Sequence, residues 1–169
     1  MEPKDLLIDL AGRPREAASA IRDELTPTLL NAHPGGHPNS IAWLLWHAGR
    51  EIDAQVADLS GEDEVWSAGG FDGRFDLGPL GDGIGLGHDP EQARSIRFDD
   101  PAPLYDYLSA ATDELIRYIG TLSAADLDEV IDHNWDPPVT RGVRLASVID
   151  DAAQHIGQAA YIAGMPDPG

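Results

Sequence analysis

At 169 residues, 42% of them hydrophobic, the chain has the length and the apolar content of one domain with one core, and a single domain over residues 1–169 is expected. Thirty acidic residues against 11 basic ones give a formal net charge of −19, which opposes any approach to phosphate backbones or anionic lipid and excludes nucleic acid and membrane surfaces as expected partners. Cysteine is absent, so disulfides, thiolate metal sites and a cysteine nucleophile are excluded, leaving histidine and carboxylates as the strong metal ligands.

Residues 1–10 lack the basic and apolar regions of a secretory signal. No stretch approaches the ~20 apolar residues of a membrane span, and a cytoplasmic protein is expected. Helical periodicity first appears over residues 3–25, where Leu6, Leu7, Leu10, Ala17, Ala18, Ile21 and Leu25 form an uneven stripe that Pro14 weakens in the middle, as a kink or a split. A second helix is expected from a cap at Asn39 or Ser40 to about residue 59, through Ile41, Leu45, Ala48, Ile52 and Val56, with Gly61 suited to its stop. Residues 61–100 follow as a long loop holding half of the 18 glycines together with Trp66, Phe71, Phe75 and Phe98. Those aromatics argue that it packs over something, either as a flap closing the end of the fold or as a cover over substrate. A third helix is expected over 103–122, followed by a short turn capped by Ser123 and Asp126. The fourth covers 143–163, through Leu145, Val148, Ile149, Ala152, Ile156 and Ala159, and Pro166 forbids its continuation. Alternating strand patterns are scarce, so the expected class is all-α, with a four-helix bundle as the architecture.

Four of the six histidines fall in predicted loops: His33, His37, His88 and His133. His33 and His37 lie in a Pro/Gly turn and are expected to be turn residues, and exposure or capping is the commoner outcome for the other two. His47 and His155 fall inside helices. Glu51 follows His47 by four residues and Asp151 precedes His155 by four, so each carboxylate stands on the same helix face as its imidazole, about 6 Å along the axis. Each pair lies at the edge of an apolar stripe, where a site can be lined by core and still be reached. With the two helices side by side, His47, Asp151 and His155 can converge on one divalent ion and leave an open position. An ordinary i,i+4 hydrogen bond is the plainer reading of Asp151 and His155, and Glu51 reads as an acceptor for a histidine N–H or an exposed carboxylate. Asp150 points about 100° away from Asp151 and is a poorer ligand.

Ser40, Trp43, Leu44, His47 and Glu51, in the pattern S-x-x-W-L-x-x-H-x-x-x-E, and Asp151, His155, Gly157 and Gln158, in the pattern D-x-x-x-H-x-G-Q, resemble the DinB/YfiT-like superfamily. The resemblance implies a four-helix bundle holding one divalent metal through a histidine on the second long helix and an i,i+4 pair near the end. Many members carry histidine where this chain has Asp151. The branch of mycothiol-dependent maleylpyruvate isomerases and related thiol transferases carries a carboxylate there, usually Glu, one methylene longer. That branch implies zinc, or alternatively nickel, on His47, Asp151 and His155, and an external low-molecular-weight thiol activated for attack on a small electrophile. All basic residues but Lys4 are arginine, a composition of GC-rich, actinobacterial type, for which mycothiol is the expected thiol. Arg144, two turns before Asp151, is a candidate receiver of a substrate carboxylate or a salt-bridge partner; Gln158, one turn after His155, is a candidate ligand contact. Two other readings stay open: metal-assisted hydrolysis with Glu51 as general base, and a non-catalytic bundle that binds a ligand or pairs as a homodimer.

Overall fold

The computed structural model describes residues 2–166. Four long helices account for half of it: α1 (Pro3–Ile21), α3 (Ile41–Ser60), α7 (Ala102–Thr121) and α9 (Arg141–Ala163). Both α3 and α1 pack against α7 and α9, so α1 and α3 lie diagonally across the core. Shorter helices connect them: α2 (Pro27–Leu30), α4 (Val65–Ala68), α5 (Phe71–Phe75), α6 (Pro90–Ser95) and α8 (Ala124–Asp128). The antiparallel pair β1 (Val130–Asp132) and β2 (Val139–Thr140) is a two-stranded ribbon that the sequence pattern did not announce.

The helix ends follow local chemistry. Ser40 Oγ accepts from the Trp43 amide at 3.2 Å and starts α3, and Gly61, at φ 74°, ends it with its N–H on the Ala57 carbonyl at 2.8 Å. Thr140 caps α9 two residues earlier than the apolar pattern indicated, and Ser123 with Asp126 forms a capping box on α8. Pro14 does not split α1. The helix runs unbroken to Ile21, with Ala11, Pro14 and Ala18 buried on one face. Small side chains there let α1 sit close on α7 and α9, and that packing offsets the backbone hydrogen bond lost at the proline. Tyr105 Oη on α7 donates to the Ala18 carbonyl at 2.8 Å, locking the same contact.

Residues 61–100 are not a structureless loop. They form α4, α5, a 3-10 turn at Gly78–Leu80 and α6, and their aromatics do pack over something. Tyr107 of α7, wholly buried, meets Trp66 and Phe71 at ring separations of 5.0 Å each, and Phe75 meets Phe98 at 5.1 Å. Asn31 clamps the end of the segment, donating to the Phe98 carbonyl at 2.6 Å and accepting from its amide at 3.1 Å. The segment thus lies over α3 and α7, and every residue from Ile41 to Arg50 is buried beneath or between its neighbours.

Candidate metal centre

Two helices supply the site. On α3, Trp43, His47, Arg50 and Glu51 follow at spacings of three and four, and on α9 Asp151 and His155 are four apart, so each set lies along one face. The helices run antiparallel: Leu44 and Ile162 line one cavity, while Gln55 and Arg144 meet at 3.3 Å at the other end. His47 and His155 lie between, with ring centroids 4.5 Å apart at an interplanar angle of 77°.

His47, Asp151 and His155 each present a ligand atom, all within 4.8 Å of one another. A tetrahedral ion with bonds of 2.0–2.2 Å holds its ligand atoms roughly 3.3–3.6 Å apart, a contraction that side-chain rotation can provide. Both imidazoles are already oriented. His47 Nδ1 lies 2.5 Å from the Ile84 carbonyl and His155 Nδ1 lies 2.9 Å from the Asp151 carbonyl, so in each ring Nδ1–H donates to backbone and Nε2 keeps its lone pair. Asp151 Oδ2 is buried with no hydrogen-bond partner, 3.3 Å from His155 Nδ1 but outside bonding geometry. An orphaned carboxylate oxygen in one cluster with two imidazoles is a donor set that fits a divalent cation.

Glu51 does not join the three. Its Oε1 is 4.0 Å from His47 Nε2, and burial, reinforced by the nearby Asp151 charge, raises its pKa above the ordinary carboxylate value while His155 opposes the shift. Burial also lowers the pKa of His47, against the bond to Ile84, which keeps the ring in the neutral form that binds metals. Glu51, Gln55, Arg144, Ser147, Val148 and Asp151 line a cavity of about 240 Å³ at one end of the centre. Arg144 is there, but its guanidinium lies 3.3 Å from both Gln55 Oε1 and Asp132 Oδ2. Gln158 lies at the other end, in a cavity of about 640 Å³ with Leu44, Tyr161, Ile162 and Met165. Asp150 is exposed and accepts from Gln154 at 2.8 Å. His33 Nδ1 and His37 Nδ1 serve backbone groups of their own turn.

Sequence reading missed what supports the centre. His47 stacks on Trp43 at 4.4 Å, and Trp43 Nε1 donates to His88 Nδ1 at 3.3 Å, which brings a loop histidine over the two tryptophans. Arg50 and Asp53, both buried, form a polar cluster with Tyr107, whose Oη donates to Asp53 Oδ2 at 2.8 Å. The Asp53 carboxylate also accepts from the Val65 and Trp66 amides, at 2.7 Å each, and so pins the start of α4. Arg50 and Asp53, three apart and directly beside the apolar positions of α3, were the available signal.

The family model described as the DinB superfamily matches residues 12–159, a span that includes all three members of the cluster. The crystal structure of the "conserved protein of locus" from Enterococcus faecalis is similar over 96% of this chain and 96% of its own, at 34% identity and a TM-score of 0.88. Among curated proteins, none matches the chain.

Proposed function

The chain belongs to the DinB superfamily, and from that premise we propose that it is a metal-dependent enzyme in a four-helix bundle, holding zinc, or else nickel, on His47, Asp151 and His155 to direct a low-molecular-weight thiol at a small electrophile. The observation that carries the metal is the clustering of two imidazoles, each tied through Nδ1 to a carbonyl oxygen, with an orphaned Asp151 oxygen. A divalent ion at such a set supplies a Lewis acid that lowers the pKa of a bound thiol or water. The thiol reading draws on the carboxylate at position 151, shared with the thiol-transferase branch that the sequence resembles, and on the absence of cysteine, which makes any thiol external.

The chain's own residues divide the remaining work. His47 and His155 each have Nδ1 committed to a backbone carbonyl, so no tautomer change precedes binding. Trp43, stacked on His47, shields one side of the centre from water. Glu51, near His47 and raised in proton affinity by burial, takes up the proton released by the nucleophile. Arg144 sits at the rim of the Glu51 cavity, where a substrate carboxylate can exchange with Gln55 and Asp132. The same Glu51 placement favours a second reading, hydrolysis by metal-activated water with Glu51 as general base. No helix among the described residues is long and apolar enough to cross a membrane. The proposed substrate is a small molecule met in the cytoplasm, with a homodimer as the candidate assembly.

Metal analysis of the purified protein comes first, with one divalent ion per chain expected and loss of it in His47→Ala. Turnover of electrophiles with mycothiol-like thiols is then compared with and without thiol. Activity that needs both metal and thiol supports transfer; activity with metal alone supports hydrolysis. No ion bound or taken up, with His47→Ala altering stability alone, sinks both.

A further inference from the structure

We infer that Arg50 is a positioning residue for His47, acting through the backbone of residues 83–85; the inference rests on the reading of His47 as a metal ligand. The ring of His47 points where the Ile84 carbonyl lets it, since that oxygen receives its Nδ1–H at 2.5 Å. Ile84 lies outside any helix or strand, so regular structure does not fix the carbonyl. Arg50 anchors the peptide that leads into it: three residues after His47 on α3 and 2% exposed, it donates from Nε to the adjoining Gly83 carbonyl at 3.1 Å.

The guanidinium itself cannot swing. Nη1 is held by Glu64 Oε2 at 2.6 Å and by Tyr107 Oη at 3.3 Å, and the group lies 4.8 Å over the Trp66 ring. On the far side of Ile84, Gly85 adopts φ +90°, and a Cβ there would stand 2.7 Å from the Trp46 ring and 3.2 Å from His47 Nδ1. Only glycine lets the backbone approach this closely. Three consecutive residues are thereby registered on α3: one carbonyl by Arg50, the next by His47, the third by contact with Trp46. Partners of this kind behind a metal-binding histidine typically change affinity 10–100-fold when removed.

Arg50→Lys separates this role from a purely structural one. Lysine keeps a positive charge among Glu64, Asp53 and Tyr107, but its single nitrogen cannot also serve Gly83 from the guanidinium's second edge. Titration with zinc ion alone, in competition with a chromophoric chelator, is expected to show affinity about 10–100-fold weaker than wild type. In the metal-free protein, imidazole ¹⁵N–¹H spectra are expected to show His47 changing from one Nδ1–H form to a mixture of tautomers. Arg50→Gln, which drops the charge but keeps a planar side-chain donor shorter than the guanidinium, is expected to give both changes and covers the case in which Arg50→Lys fails to fold. A folded Arg50→Lys protein with wild-type zinc affinity and a single His47 tautomer overturns the inference. If the wild type takes up no zinc, the metal reading fails, and the tautomer spectrum of the metal-free protein alone decides whether Arg50 positions the ring.

Discussion

Gly49 faces Tyr107 at the centre of the α3–α7 contact, and Gly49→Ala sets two effects of known size against each other. Alanine in a helix interior is favoured over glycine by about 1 kcal/mol. The added Cβ, however, would stand 2.9 Å from Cδ1 and Cε1 of Tyr107, so relief requires the ring to move by roughly half an ångström to reach ordinary carbon contact at ~3.5 Å. Tyr107 has nowhere to go: it is wholly buried, its ring meets Trp66 and Phe71 at 5.0 Å each, and its hydroxyl is bonded to Asp53. Overpacking of this kind costs about 1–3 kcal/mol, and loosening a hydrogen bond to a charged group adds about 1.5–3. The expected net loss, after the helix-propensity gain is subtracted, is about 1.5–5 kcal/mol. With a urea slope near 2 kcal/mol/M, the midpoint falls by roughly 0.75–2.5 M. Introducing Gly49→Ala into a Tyr107→Leu background is expected to cost far less, because the clashing ring is gone. An unchanged or raised midpoint for Gly49→Ala alone would show that the ring yields freely and that the packing argument is wrong.

Asp151→Asn is expected to abolish stoichiometric metal uptake while leaving the far-ultraviolet spectrum intact, and Asp151→Glu to retain uptake; equal metal content in all three proteins would remove Asp151 from the ligand set. Asn31→Ala breaks both bonds to Phe98, should cost about 1–3 kcal/mol, and should speed protease cleavage between residues 61 and 100, which an unchanged digestion pattern would contradict. Trp46→Ala empties a wholly buried site and is expected to cost about 3–5 kcal/mol in chemical unfolding; a loss under ~1 kcal/mol would mean the neighbours collapse into the space. Arg117, donating to Glu114, holds that carboxyl below its usual value of 4.5 despite some burial. A depressed folded pKa means the contribution is complete above pH 4.5 and is lost as pH falls through the lower folded value. With so exposed a partner the contribution is small and screened by solvent, and Glu114→Gln should flatten the acid limb of the stability curve slightly, as read by urea midpoints at pH 3 and 5.

Periodicity and caps located the long helices because those signals are local: Ser40 and Gly61 bound α3 within the chain segment itself. His47, Asp151 and His155 were legible for a related reason, since i,i+4 spacing on a helix converts directly into a shared face, and only the juxtaposition of two helices had to be supposed. What stayed hidden depends on tertiary partners. Nothing near Pro14 in sequence tells that packing on α7 and α9 keeps α1 continuous. Arg50, Asp53 and Tyr107 look like two surface charges and a core aromatic until the fold brings the hydroxyl to the carboxylate. The glycines of residues 81–87 signalled a loop, whereas the use of Gly85, a backbone seated on Trp46 and His47, appears only once α3 lies beneath it.

The antiparallel register of α3 and α9 places one candidate ligand, His47, beside two others, Asp151 and His155, that lie about a hundred residues later. An ion shared by His47 and by Asp151 with His155 would therefore act as a reversible cross-link between distant parts of a chain that has no cysteine to make a permanent one. It would bind the native register and no other, since a slip of one helical turn, about 5.4 Å, carries the ligands out of reach. Occupancy at 100 times the dissociation constant would add about 2.7 kcal/mol to the native state. Metal supply would then set how long the protein lasts as well as whether it works: starved of the ion, α9 would keep its packing and its bonds through Arg141 and Arg144 but lose its tie to His47, and would open to proteolysis more readily.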